Sequence, residues 1–379
     1  MKIAILGYGT VGSGVYEILQ KKNLAKSISV KKIWSRPKKN INIPNFCPDI
    51  DDIINDKEIE LVVEVLGGID VPFDLISRML KSKKHVVTAN KAVIARHYDA
   101  LTDLAKENGV SLNFEASVGG GIPWIKNVEL ASRIDSISKC YGVLNGTSNF
   151  ILDTMLKEDQ DFGDVLKEAQ DLGYAESDPS ADIDGFDVLN KLIISARKAF
   201  NKKLDPDDFF VHSMRQITKN DIHYFKQKGH ILKYIGEITH DEGVISLHAV
   251  PETFVEATIP SNNNIASLEG KTIGTLKFYG QGAGKLPTAN AVVQDILDIS
   301  KNMSYLGTDN DGNSVIIDTK KNHYTFVIRT NESVDANLIK ETDGDYLITH
   351  PITLSDIKKQ TQLNDSLIVR VITQEDWHD

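Results

Sequence analysis

The 379-residue sequence predicts a doubly wound α/β domain, then an α+β domain, then a small two-layer tail. Three observations predict this. The first third alternates short apolar, β-rich runs with amphipathic stretches, the pattern of βαβ units around a parallel sheet. From about residue 130 that rhythm stops, and long helical segments mix with separated strand-like runs. The length also exceeds what one ordinary core organises, so two or three domains are expected.

The strand-like runs of the first third are 2–6, 29–34, 61–66, 85–88 and 111–116. The helical segments between them include 11–19, 73–81 and 100–108. Right-handed crossovers turn such a series into an open, doubly wound sheet. In the second region a strand at 136–144 precedes a long helical stretch over 149–172. A polar loop at 173–184 and a helix at 186–200 follow, and 243–250 and 255–259 read as strands. The glycine-rich run Gly280-Gln281-Gly282-Ala283-Gly284 breaks the chain before a helix at 289–299. The tail carries strands at 324–329 and 367–372 with a helix at 354–360 between them. The expected domains are therefore 1–130 with a returning helix near 285–305, 131–284, and 310–379.

Composition narrows the function classes. Charged residues are 25% and hydrophobic residues 41%, a balance normal for a folded globular chain. The net charge of −10 and the lack of a large basic block argue against a nucleic-acid partner. Cys47 and Cys140 are too few and too far apart for a disulfide framework or thiolate cluster, which fits a reducing cytoplasm. The N-terminus reads as a strand rather than a signal peptide, and no run approaches the length of a membrane span. His97, His212 and His223 lack metal-ligand spacing and read as surface or packing residues.

Gly7-Tyr8-Gly9-Thr10-Val11-Gly12 is a G-x-G-x-x-G sequence between a strand and a helix. The glycines allow a tight turn, close approach of a pyrophosphate, and strand–helix packing. The helix start then offers amide donors and partial positive charge. This context predicts a Rossmann-type dinucleotide domain; a glycine-rich turn of another α/β fold is the alternative. The second strand ends in Trp34-Ser35-Arg36-Pro37-Lys38-Lys39, without the carboxylate that grips ribose hydroxyls in NAD binders. Arg36 and Lys38 suit a 2′-phosphate instead, predicting NADP(H) over NAD(H); a solvated basic turn is the other reading.

The densest chemical signal lies between Ala169 and Lys191. Glu176, Asp178, Asp182, Asp184 and Asp187 are five carboxylates within twelve positions. Gly173, Pro179 and Gly185 interrupt any helix there, so 176–184 forms a loop. Asp187 and Lys191 are four apart and share a helix face, as a surface ion pair also would. The fixed positions Ala169, Gly173, Tyr174, Glu176, Asp178, Pro179, Asp182, Gly185, Asp187 and Lys191 resemble the homoserine dehydrogenase signature without departure. The stretches 86–91, 115–123, 142–149 and 280–289 are similar to the same family, so the likeness runs from residue 7 to about 300.

The resemblance implies hydride transfer between a nicotinamide and C4 of aspartate 4-semialdehyde or homoserine. It implies Glu176 and Asp182 as substrate-binding acids, with Gly146 and Thr147 beside them, and Lys91 as the cation for the substrate carboxylate. Asp187 and Lys191 match the catalytic pair, a lysine beside a carboxylate being able to stabilise and protonate a developing alkoxide. Lys91 is the competing acid/base. Gly284 joins Gly7, Gly9, Thr10, Val11 and Gly12 as a nucleotide-contacting position. The family also implies a sodium or potassium site from the Glu115 carboxylate and the carbonyls of Val118, Gly120 and Ile122. Carbonyls and a carboxylate suit a hard cation, although Glu115 could simply cap a strand end.

A homodimer through the substrate domain is a further implication of the resemblance. The tail looks like a ferredoxin-like ACT module, but Asn331-Glu-Ser-Val-Asp-Ala336 replaces the usual first-helix start. A reduced ACT-like domain with little or no threonine response is expected; a non-ACT appendage, or an exposed sheet edge serving dimer contacts, is the alternative. A non-catalytic nucleotide sensor is the rival from another class, and the retained Lys91, Asp187 and Lys191 speak against it.

Overall fold

The computed structural model describes residues 1–21, 27–35, 42–303 and 322–377. Arg36 and Lys38 lie outside the described residues. The chain forms two compact units: Met1–Arg133 with Gly280–Gly312, and Ile134–Tyr279 with Asn313–Asp379.

In the first unit, β1 (Lys2–Leu6), β2 (Ser29–Trp34), β3 (Leu61–Glu64), β4 (His85–Thr88) and β5 (Leu112–Asn113) form a parallel sheet in the order β2-β1-β3-β4-β5. The central strands β1, β3 and β4 are largely apolar on both faces because helices cover both faces of such a sheet. Ile3, Ile5, Val63 and Val87 pack with Val15 and Leu19 of the first helix and with Val292 and Ile296 of a late helix, Lys285–Ser300. That approach needs Gly14, where a Cβ would lie 2.9 Å from the Lys285 carbonyl oxygen. The strand order reverses direction between β1 and β3, the switch point beyond whose carboxyl ends such sheets bind ligands. The run 111–116 is strand only at Leu112–Asn113. Its continuation winds into a 3-10 turn, Glu115–Ser117, where the Ser117 amide and hydroxyl both donate to the Phe114 carbonyl.

In the second unit, one sheet is built from β6 (Ile137–Val143), β7 (Phe209–Val211), β8 (His230–Thr239), β9 (Gly243–Pro251), β10 (Asn263–Gly270), β11 (Gly274–Gln281), β12 (Thr325–Arg329), β13 (Ile339–Asp343), β14 (Tyr346–Thr349) and β15 (Leu367–Val371). The order is β11-β10-β6-β8-β9-β15-β12-β14-β13, with β7 also on β9. The four tail strands thus continue the sheet of the middle region: β15 pairs in parallel with β9, Val369 opposite Leu247. Among themselves they are antiparallel in the order fourth, first, third, second. The connection from β12 to β13 holds only the 3-10 turn Ala336–Leu338, whereas the helix Leu354–Lys358 joins β14 to β15. No helix among the described residues is long and apolar enough to cross a membrane.

The long helical stretch expected over 149–172 is two helices, Gly146–Glu158 and Phe162–Asp171. Asp159 ends the first in the left-handed conformation, φ 55°, where an aspartate is tolerated and a helix cannot continue. The expected strand at 255–259 is instead a 3-10 helix, Val255–Thr258. It buries Glu256, which accepts from the Ser267 hydroxyl at 3.0 Å and pairs with Lys277 at 3.0 Å. The loop 173–184 contains a short helix, Ser180–Ile183.

Candidate active site

The phosphate loop sits at the carboxyl end of β1. The Gly7 amide donates to the Trp34 carbonyl at 2.8 Å, and the helix Thr10–Lys21 starts three residues later. Gly7 has φ +106°, and a Cβ there would meet the Val65 carbonyl oxygen at 2.7 Å. A Cβ on Gly12 would fall 2.0 Å from the Gly7 carbonyl oxygen, so strand and helix close only around glycine. At the end of β4, Asn90 caps the helix Lys91–Asn108 by accepting from the Val93 amide, and Lys91 is that helix's first residue. Gly284, φ +118°, precedes the helix Lys285–Ser300.

The segment after β5 builds a second feature of the same unit. Glu115 is buried and accepts from the amides of Ile125 and Lys126 at 3.0 and 2.9 Å, the start of the helix Trp124–Ser132. Its own amide donates to Asp295, which pairs with Lys126 at 3.0 Å; Lys126 also pairs with Asp298 at 2.6 Å. Burial, and then the neighbouring Asp295, push the Glu115 carboxyl up to about 8. Gly119 and Gly120 have φ +80° and +57°, and a Cβ on Gly120 would lie 2.4 Å from the Gly282 carbonyl oxygen. Val118 and Ile122 are buried. No group of three or more His, Cys, Asp or Glu side chains among the described residues could hold a metal. A site here would rest mainly on backbone oxygens, and the two carboxylates paired with the one Lys126 ammonium, Asp295 and Asp298, leave negative charge for a cation to offset.

The second unit contains the carboxylate–lysine cluster. Gly185, φ +89°, is followed by the helix Phe186–Phe200. Its packing is tight, since a Cβ on Gly185 would meet the Tyr234 hydroxyl at 2.6 Å. The four-residue spacing does put Asp187 and Lys191 on one face: Lys191 Nζ is 2.7 Å from Asp187 Oδ2, and both are buried. Nζ also donates to the Leu144 carbonyl at 2.6 Å, at the end of β6. Asn145 Nδ2 donates to Asp182 Oδ1 at 2.7 Å and to Asp187 Oδ2 at 3.0 Å. Asn145 Oδ1 meanwhile accepts from the Ser148 amide and caps the helix Gly146–Glu158.

This geometry sorts the five carboxylates. Asp178 accepts from the amide and hydroxyl of Ser180, within its own loop, which lowers its pKa. Asp184 is held below the usual carboxylate range chiefly by Arg215, at 2.7 Å, and accepts from Ser213. Both are occupied in shaping the loop. Asp182 and Asp187 converge on Asn145, and Glu176 is exposed. Thr147 donates to the Tyr174 carbonyl at 2.8 Å, and Gly146 lies where a Cβ would touch the Asn262 carbonyl oxygen at 2.7 Å. Asn145 and Leu144 lie in the family-like stretch 142–149, but the sequence alone assigns them no role at the site. The asparagine's cap position ahead of a helix is the signal that could have found it.

His97 and His212 pack, and His223 lies at the surface. His97 stacks on Phe73, His212 bonds the Ser366 carbonyl at 2.7 Å, and His223 meets Asp159 at 2.8 Å.

Comparison with known proteins bears on this arrangement directly. Residues 7–115 match the model of the homoserine dehydrogenase NAD-binding domain, and residues 123–297 match that of homoserine dehydrogenase itself. Homoserine dehydrogenase of Bacillus subtilis (strain 168) is 38% identical over 318 residues, covering 80% of this chain and 73% of its own. The chain belongs to the homoserine dehydrogenase family. The homoserine dehydrogenase of Synechocystis sp. is 39% identical over 316 residues, 79% of this chain and 73% of its own. In three dimensions, a homoserine dehydrogenase from Thiobacillus denitrificans superposes with a TM-score of 0.85, covering 98% of both chains at 28% identity. Homoserine dehydrogenases are NAD(P)-dependent oxidoreductases that interconvert aspartate 4-semialdehyde and homoserine, in amino-acid biosynthesis. A Rossmann-like nucleotide domain and a catalytic domain around a mixed sheet serve that reaction here.

Proposed function

We propose that Lys191 is the acid/base of this homoserine dehydrogenase and that Asp187 sets its charge and direction. The observation that carries this reading is the buried Lys191 ammonium held between Asp187 and the Leu144 carbonyl. A bound nicotinamide supplies or takes up the hydride. As the carbonyl oxygen gains charge in reduction, a fixed ammonium stabilises it and then gives it a proton. Asp182, aligned by Asn145, and the exposed Glu176 receive the substrate ammonium, near Gly146 and Thr147. Lys91 takes the substrate carboxylate. Gly7, Gly9, Thr10, Val11, Gly12 and Gly284 would hold the pyrophosphate side of the nucleotide. Arg36 and Lys38 favour NADP(H) through its 2′-phosphate. Glu115 with the carbonyls of Val118, Gly120 and Ile122 would hold a sodium or potassium ion.

The tail fits a reduced ACT-like module: its strand order is the ferredoxin-like one, with a 3-10 turn where the first helix would stand. An effector pocket built on that helix start would be missing, so threonine should have little effect. The family also favours a homodimer through the second unit and a cytoplasmic location.

Absorbance at 340 nm with homoserine tests the reading, comparing NADP with NAD and sodium or potassium with a large organic cation. Reduction that is faster with NADP, and faster with the small cations, is expected. No reduction with either nucleotide between neutral and alkaline pH would overturn it.

A further inference from the structure

Glu64 is the last residue of β3 and is completely buried. It stands in register with Leu6, which precedes Gly7, and with Thr88, which precedes the turn into Lys91. The side chain therefore lies at the switch point of the sheet, where nucleotides are bound. The rest of β3, Leu61 to Val63, is apolar and buried, so a carboxyl at the strand end is not what packing asks for.

Its oxygens are spent on two loops. Oε1 accepts from the Leu66 amide at 2.7 Å, and Oε2 accepts from the Thr88 hydroxyl at 2.5 Å. Thr88 Oγ1 in turn accepts from the Asn90 amide at 2.9 Å. Asn90 returns to the first loop, donating through Nδ2 to the carbonyls of Leu66 and Gly68 at 3.3 and 2.9 Å. The loop after β3 also seats the phosphate loop, since Val65 presents its carbonyl oxygen where Gly7 lacks a Cβ. One buried carboxyl thus braces the segments that follow β1, β3 and β4.

We propose that Glu64 is a positioning residue whose ionised carboxylate locks the loop after β3 and the Thr88–Lys91 turn against the phosphate loop, so that nucleotide affinity and the placement of Lys91 depend on it. The Lys91 half of this inference rests on the role given to Lys91 above. An ionised carboxylate only accepts, and here the Leu66 amide and the Thr88 hydroxyl both donate to it. Protonation reverses the second bond: the carboxylic O–H donates to Thr88 Oγ1, and the Thr88 hydrogen loses the carboxylate that fixed its direction. Burial raises the Glu64 carboxyl to about 7, against the opposing bonds from Thr88, Leu66 and Asn90, so the brace changes state near neutrality. The partners facing it are uncharged. The titratable groups on the segments it braces are Tyr8 after β1, Asp70 after β3 and Lys91 after β4.

The test compares wild type with Glu64→Gln, which has the shape of the protonated acid. NADPH affinity is read by fluorescence titration without homoserine at pH 6 and pH 8.5, and kcat/KM for homoserine is followed over the same range. The variant should bind NADPH almost as wild type does at pH 6, and about tenfold more weakly at pH 8.5. Its kcat/KM profile should lose an ionisation near neutrality. Equal affinity ratios at both pH values would overturn the proposal, because a merely structural defect does not follow pH in this way. Should Glu64→Gln fail to fold, Thr88→Val breaks the same bridge and should weaken binding at pH 8.5, while Thr88→Ser should restore it; equal binding by these two would refute the brace. If wild type binds NADPH with the expected pH-dependent ratio yet does not oxidise homoserine, the substrate reading falls and the brace stands.

Discussion

Lys191 shows how much a single buried cation depends on its surroundings. An ammonium inside a protein must be paired and hydrogen-bonded, and here Asp187 and the Leu144 carbonyl do both. Asn145 then fixes the acceptor side by bridging Asp182 and Asp187 with one amide. Two outcomes follow from these distances. Lys191→Ala should lower turnover by about 10²–10⁴-fold, the usual scale of a positioned acid/base, while NADPH titration of the variant stays near wild type. Asn145→Ala should mainly raise the KM for homoserine, because Asp182 loses its aligning donor. Steady-state rates at saturating nucleotide would expose the error if KM stayed put and only kcat fell.

At the scale of elements, the helix Phe186–Phe200 brings both catalytic candidates to the sheet, and one glycine sets how close it lies. A Cβ on Gly236, in β8, would meet Val188 Cγ1 at 2.4 Å and Leu192 Cδ1 at 2.8 Å. Those two side chains are on the helix between and beside Asp187 and Lys191. Gly236→Ala should therefore cost about 1–3 kcal/mol of stability by overpacking and shift the pair from the Leu144 carbonyl. A lowered Tm together with reduced kcat, measured on the same preparation, is the expected result. A normal Tm and kcat would mean that the helix accommodates the methyl without moving the pair. Asp159 makes the complementary point: one left-handed residue divides what the hydrophobic pattern presents as a continuous helix.

For the second unit as a whole, the continuity of its sheet decides what the tail is. The tail strands attach through β15 to β9, and Phe210 and Val244 of the middle region share a core cluster with Tyr324, Phe326 and Ile368 of the tail. The chain then returns to the middle region: buried Trp377 stacks on Tyr141 and donates to Glu237 at 2.8 Å. Arg370, also buried, pairs with Glu237 and Asp376, each at 2.9 Å. Removing residues 322–379 would leave β9 with an open edge and the Glu237 carboxylate buried without its cation, a loss of several kcal/mol. The truncated chain should be insoluble or aggregate on purification, as size-exclusion chromatography would reveal. A monodisperse, active truncation would instead mark the tail as a detachable module.

Within the first unit, local sequence carries most of the information. Gly7 and Gly12 between an apolar run and a helix specify a strand, turn and helix start, because the Gly7 carbonyl oxygen leaves no room for a Cβ on Gly12. The spacing of Asp187 and Lys191 specifies a shared helix face because 3.6 residues make a turn. Other features depend on residues far apart in sequence. The sequence shows five crowded carboxylates alike, and only folding separates Asp184, neutralised by Arg215, from Asp182 and Asp187, gathered by Asn145. Edge and half-exposed strands such as β11 and β13 lack a clear alternation, so their pairing is fixed by neighbours rather than by local pattern. Composition and motif determined what chemistry this chain is built for. The tertiary structure alone decided that its tail completes the catalytic sheet and that Glu64 lies beneath the nucleotide loops, because sheet order and burial are set by contacts between distant segments.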